Sequence, residues 1–234
     1  DDLEEGKGDW QEQFPDYLGC CHSLDYNFGR VVRALKDKGI YDQTMLIYAS
    51  DHGNHFRTLL SEKSPNGGTD DYKRTSFENT IHVPLIIKGK SFSGGKVEDK
   101  LVSLIDLPKT IMTAAGCRIE ERVQGDALQN IFTDPHWKEE VYVQISESFV
   151  GRAVRTERYK YVIHAPDLNP WESMTTDIWQ EKCLFDLGKD PLEKHNLLDD
   201  PDYASIKEDM KSRLVRCAKK AGENIVSILP AKRQ

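Results

Sequence analysis

The chain has 234 residues, 38% hydrophobic and 30% charged, which suits a folded protein with a moderate core and excludes an intrinsically disordered one. A net charge of −7 without a long basic block argues against a nucleic-acid partner, and no apolar run reaches the roughly 18 residues needed to span a bilayer. Five cysteines, an odd number at scattered spacing, form neither a zinc-ligand set nor a disulfide framework. The chain begins at Asp1 without a signal-like segment, so the sequence assigns no compartment.

Residues Asp1 to Phe14 are acidic and polar and read as a loop. After Pro15, Leu18, Cys21, Leu24, Phe28, Val31 and Leu35 recur at helical spacing, and Gly39 sits where the helix should stop. His22 and Asp25 on this helix are assigned to solvated or capping contacts. Met45 to Ala49 is an apolar run without alternation, the pattern of a strand buried on both faces of a parallel sheet. It ends abruptly at Ser50-Asp51-His52-Gly53. Ligand sites in such sheets lie just beyond the carboxyl ends of the strands, which puts Asp51 and His52 at a candidate metal or proton-transfer site. Gly53 is expected to permit a sharp turn or a positive φ.

From Gly53 to Thr75 no periodicity holds, and Ser64-Pro65-Asn66-Gly67-Gly68 is a turn cluster. A loop this long is more often functional than not, and it should roof the strand tip. A second buried strand is expected at Val83–Ile87, then a helix from about Asp106 to Ala115 with Asp106 as N-cap and Gly116 as stop. Gly125 and Asp134-Pro135 change the texture, which places a boundary near residue 130. Beyond it the pattern is β then α. Strands are expected at Val141–Ile145, in a hairpin of Arg152–Thr156 and Tyr159–Ile163, and at Leu184–Leu187, followed by a helix from about Tyr203 to Ala221. The fold class is therefore α/β: part of a doubly wound, mostly parallel sheet (residues 1–130), then a small α+β subdomain with an antiparallel sheet and a C-terminal helix (131–234).

Several of these segments, in this order, resemble the type I sulfatases of the alkaline phosphatase superfamily. Tyr48 to Gly53 resembles the family's strand-end motif. Tyr72 to Leu85 resembles its lysine, aromatic–acid pair and Val-Pro strand, here Lys73, Phe77-Glu78 and Val83-Pro84. Leu104 to Pro108, Arg152 to Thr156, Lys160-Tyr161, Leu184 to Pro191 and the Glu193 to Leu197 motif resemble the family's later helix and C-terminal subdomain. The likeness runs from about Tyr17 to Gly222.

The resemblance implies hydrolysis of sulfate esters, plausibly on a sulfated small molecule or glycan, with one divalent ion, usually calcium, and a formylglycine nucleophile. It makes Asp51 and His52 metal ligands and Lys73 the catalytic cation that grips the sulfate. An imidazole is a softer ligand than calcium usually takes, so His52 also stands as a catalytic group that hydrogen-bonds the sulfate or the nucleophile. His55 and Arg57 are candidates for an anionic subsite, and His82 for either substrate contact or a structural hydrogen bond. The family's nucleophile motif is Cys or Ser two residues before a proline, and none of the ten prolines here has either. The resemblance thus implies a C-terminal portion, inactive alone, whose N-terminal half is supplied elsewhere or whose open sheet self-associates. A phosphodiesterase or phosphonate monoester hydrolase of the same superfamily, and a non-catalytic sugar- or anion-binding homologue, are the rival readings.

Overall fold

The computed structural model describes residues 10–55, 73–92 and 94–231. Helix α1 (Trp10–Asp37) is the first element of the described residues and starts five residues before Pro15 instead of after it. The proline removes one intrahelical hydrogen bond without starting the helix, and the Phe14 and Tyr17 rings stack across it with centroids 6.1 Å apart. The apolar stripe of α1 is only partly used. Phe28 meets Tyr48 edge-on at 5.6 Å, whereas Leu18, Leu24 and Val31 stay exposed.

Strands β1 (Leu46–Ala49) and β2 (Leu85–Lys88) form a two-stranded sheet in which Ala49 lies opposite Leu85 and Leu46 opposite Lys88. They run antiparallel, where the unalternating apolar runs suggested parallel neighbours, and β1 is half-buried rather than covered on both faces. A run of apolar residues reports how much a strand can bury and carries no information on its direction. The antiparallel pairing has a consequence for the site. It brings the residues after β1 and those before β2 to one end of the sheet.

Helix α2 (Glu78–Ile81) occupies that end, and α3 (Asp106–Ala114) follows β2. Asp106 does not cap α3: Ile105 holds the cap position, and the buried Asp106 carboxylate accepts from the Ser103 and Asp126 amides and from Lys138 at 2.6 Å.

The second layer is a five-stranded sheet in the order β3 (Glu140–Ile145), β4 (Val150–Thr156), β5 (Tyr159–Ala165), β6 (Ile178–Asp186), β7 (Ser227–Leu229). All pairs are antiparallel except β6 with β7, a three-residue strand too short to carry a pattern. Alternation divides the side chains between two cores. Val154, Tyr161 and Leu184 point to helix α4 (Ala204–Lys220) and pack on Met210 and Leu214. Ala153, Val162 and Phe185 point the other way, toward Phe77 just before α2. Among the described residues no helix is long and apolar enough to cross a membrane.

Candidate active site

A groove of about 1120 Å³ runs between the β1–β2 end and the edge strand β3. Asp51, His52, Lys73 and His82 all line it, so four of the six candidate residues share one concave surface. The strand tip is built by short hydrogen bonds. Ser50 Oγ donates to the His52 carbonyl at 2.8 Å, and the His52 amide donates to Asp51 Oδ1 at 3.0 Å. The Gly53 amide then donates to the Thr80 carbonyl at 2.7 Å, tying the tip to α2. A Cβ at position 53 would stand 2.0 Å from the Asn79 carbonyl oxygen. Glycine is required there by close backbone approach, not by a positive φ, the alternative its sequence context also allowed.

His52 Nδ1 donates to the Gly53 carbonyl at 2.8 Å, which leaves Nε2 with a lone pair in the neutral ring. That nitrogen lies 3.7 Å from Asp51 Oδ1, and the Asp51 side chain is 86% exposed to the groove and solvent. An imidazole whose second nitrogen is fixed by a backbone carbonyl, facing a carboxylate, is a donor pair that suits a shared cation. The pair fits part of a divalent-ion site; among the described residues no group of three or more His, Cys, Asp or Glu completes one.

Lys73 is half-buried on the groove wall, and among the described residues no carboxylate pairs with it. Its cationic neighbours are differently placed. Arg74 pairs with Glu147 at 2.5 Å and lies over the Trp171 ring at 5.3 Å, and Arg155 pairs with Glu78 at 3.1 Å. An uncommitted ammonium beside a cation-binding pair can receive an anion. His82 donates its amide to the Glu78 carbonyl at 2.7 Å and lines the groove at the entry to β2. His55 is 1% exposed and is not among the groove-lining residues. Arg57 and the expected roof over residues 56–72 lie outside the described residues.

Sequence reasoning passed over the partners of Lys73's neighbours. Glu147 adopts a left-handed backbone (φ 70°), uncommon for a non-glycine residue, and no sequence signal announces it. Glu78 belongs to the aromatic–acid pair of the resemblance, but its partners Lys160 and Arg155 lie 82 and 77 residues away in the chain. Burial alone would push the Glu78 carboxyl up, yet the charges of Lys160 and Arg155 hold it below its ordinary value.

The profile of the N-sulphoglucosamine sulphohydrolase C-terminal family matches residues 69–220, well over half of the chain, and that of the Sulfatase family matches residues 2–117. The chain belongs to the sulfatase family. An N-acetylglucosamine-6-O-sulfatase of Bacteroides thetaiotaomicron is 26% identical over 227 residues, 92% of this chain and 37% of that protein. A structure described as being in complex with its substrate D-glucosamine-2-N,6-O-disulfate superposes with a TM-score of 0.70 at 24% identity, over 88% of this chain and 40% of that one. A phosphonate monoester hydrolase from Silicibacter pomeroyi superposes equally well, with a TM-score of 0.70, 24% identity and coverage of 87% and 40%. Both superpositions establish the alkaline phosphatase-like fold. The sulfatase chain spans little more than a third of its curated relative's length. Membership brings with it, for the family in general, a divalent metal and a formylglycine.

Proposed function

We propose that this chain contributes the C-terminal part of the core (1–130) and the C-terminal subdomain (131–234) of a sulfatase that hydrolyses sulfate esters of a carbohydrate. The observation that carries the proposal is the convergence of Asp51, His52, Lys73 and His82 on one groove. Asp51 and His52 hold a divalent ion, and the hard carboxylate oxygen favours calcium. When bound, the ion would polarise the sulfate as a Lewis acid, and a formylglycine supplied from outside these 234 residues would supply the nucleophile that attacks sulfur.

The chain's own residues orient and neutralise. Lys73 faces the sulfate and stabilises charge that grows on its oxygens as the ester bond breaks, more in the transition state than in the ground state. His52, its Nδ1 proton held by the Gly53 carbonyl, keeps Nε2 directed at the ion or the sulfate. His82 borders the sugar. A sulfated glucosamine is a reasonable substrate class, because the B. thetaiotaomicron relative is an N-acetylglucosamine-6-O-sulfatase. The exposed apolar residues of α1 and β2 are then covered by the rest of the enzyme or by a second copy, and the isolated chain is inactive.

The likeness to a phosphonate monoester hydrolase favours a second reading, in which the same groove takes a phosphorus ester. The complete natural enzyme decides between them. The sulfatase reading expects kcat/KM for an aryl sulfate to exceed that for an aryl phosphonate monoester, and Lys73→Ala to lower kcat by about 10²–10³-fold. The reverse preference would establish the phosphonate reading, and no turnover of either would leave a sugar- or anion-binding homologue.

A further inference from the structure

The Glu193 to Leu197 motif has no part in the groove, yet Glu193 is among the few deeply buried charges of the described residues. Lys160 is fully buried and Glu193 is 2% exposed, and the two are ion-paired. Lys160 Nζ also donates to Glu78 Oε1 at 3.1 Å, while Glu193 Oε2 accepts the Glu78 backbone amide at 2.6 Å. Arg155 donates to the other Glu78 oxygen at 3.1 Å. Two cations and two carboxylates thus form a closed cluster at the start of α2.

Each member is placed by the second layer. Arg155 and Lys160 are paired across β4 and β5 and point to the same face as Ala153 and Val162. Glu193 sits in a loop with a left-handed backbone (φ 56°), its amide bonded to the Asp190 carbonyl at 3.1 Å. Asn196 pins that loop to β6: its Oδ1 accepts the Leu184 and Leu198 amides, and its Nδ2 donates to the Lys182 carbonyl. A non-glycine residue held in this conformation persists only where its surroundings over-determine it.

A buried ion cluster is weak as a stabilising device, because desolvation offsets most of the Coulomb gain; its better-attested role is to specify one arrangement. Here the arrangement specified is that of α2, and both arms of the groove hang from α2. The Gly53 amide bonds to the Thr80 carbonyl, which fixes the Asp51–His52 tip. Thr75 Oγ1 bonds to Thr80 Oγ1 at 2.8 Å, which fixes the turn that begins at Lys73.

We infer that Glu193 is a positioning residue: through Lys160 and the Glu78 amide it sets α2, and thereby the spacing between the Asp51–His52 pair and Lys73. The inference rests on the sulfatase reading of the groove for its kinetic consequence, though not for its structural one. A misplacement of a fraction of an ångström at the reacting groups lowers turnover while leaving most of substrate binding intact.

The test compares the complete enzyme with its Glu193→Gln and Asp186→Asn variants. Asp186 is as deeply buried and bonded to Arg158 at 2.9 Å, but it serves the β5–β6 side and no bond links it to α2. Glu193→Gln is expected to lower kcat for an aryl sulfate about tenfold with KM changed less than about twofold. It should also speed amide exchange in peptides covering residues 50–55 and 73–82. Asp186→Asn should lower Tm without either effect. Unchanged kcat and exchange in Glu193→Gln, or equal losses in both variants, would overturn the inference. Arg155→Lys, a milder loosening of the same cluster, replaces Glu193→Gln if that variant does not fold. If the wild-type enzyme turns over no sulfate ester, the sulfatase reading fails, and the exchange measurement alone still decides the positioning role.

Discussion

The two halves of the chain bury their apolar residues very differently. From β3 onward, Val150, Val154, Tyr161, Val162, Ile163 and Leu184 are all fully buried, and α4 closes one face with Met210 and Leu214. Before β3, among the described residues, Leu128, Ile131 and Trp137 centre a small cluster. Ile86, in the middle of β2, is 64% exposed, and α1 presents Leu18, Leu24 and Val31 to solvent. The difference teaches that stability and chemistry are unevenly distributed. The half that carries Asp51, His52 and Lys73 has the smaller core, and it borrows order from the other half through the cluster at α2.

That contrast can be broken by mutation. Leu214→Ala, which opens a cavity in the closed core, should cost about 2–5 kcal/mol in denaturant unfolding. Gly53→Ala should be next: its Cβ would collide with the Asn79 carbonyl, and relief by backbone shift should cost about 1–3 kcal/mol while loosening the strand tip. Such a variant should weaken divalent-ion binding, measured by calorimetry on the complete enzyme, more than it lowers Tm. A smaller effect is expected from acid. Burial raises the Glu140 and Glu223 carboxyls, but hydrogen bonds from Arg216 and Arg213 to Glu140, and from Arg152 and Tyr142 to Glu223, hold both below the ordinary 4.5. The stability they contribute is full above about pH 4.5 and is lost as pH falls through the lowered values. Glu193, which burial raises despite Lys160, contributes with the opposite sign. Tm should therefore fall below pH 4.5, and Glu140→Gln should flatten that fall; a Tm independent of pH there would contradict the assignment. Smallest of all, Ile86→Ala in the isolated chain should change stability by no more than about 0.5 kcal/mol, since little of that side chain is covered. If it costs as much as Leu214→Ala, the β1–β2 pair has a cover in solution, such as a second copy.

Much of this organisation was legible in the sequence because the local signals were strong. The Arg152–Thr156 and Tyr159–Ile163 hairpin alternates cleanly, and its strands pair with the expected turn at Glu157-Arg158. Gly39 and Gly222 both take positive φ at the two helix ends where they were expected to act as stops. At the strand tip, the abrupt end of β1 at Asp51-His52-Gly53 is visible in the sequence, and Asp51 and His52 line the groove. What the residues could not convey was relational. Antiparallel pairing of β1 with β2, which brings the residues after β1 and those before β2 to one end of the sheet, leaves no mark on either run. Asp106 has an N-cap's composition, but its Oδ1 accepts from Lys138 and the Asp126 amide, partners 32 and 20 residues away. His55 has a ligand's chemistry and a core residue's burial. Lys160 and Glu193 read as one strand residue and one loop residue, and only their pairing gives either a role.

On the proposed function, Asp51, His52 and Lys73 complete a formylglycine-dependent site. Peptide mass spectrometry of the natural protein that carries this chain tests it most directly. The expected result is a peptide outside these 234 residues in which a Cys or Ser, two residues before a proline, has been converted to formylglycine. A natural protein with no such residue, converted or encoded, would contradict it and remove the catalytic role of Lys73.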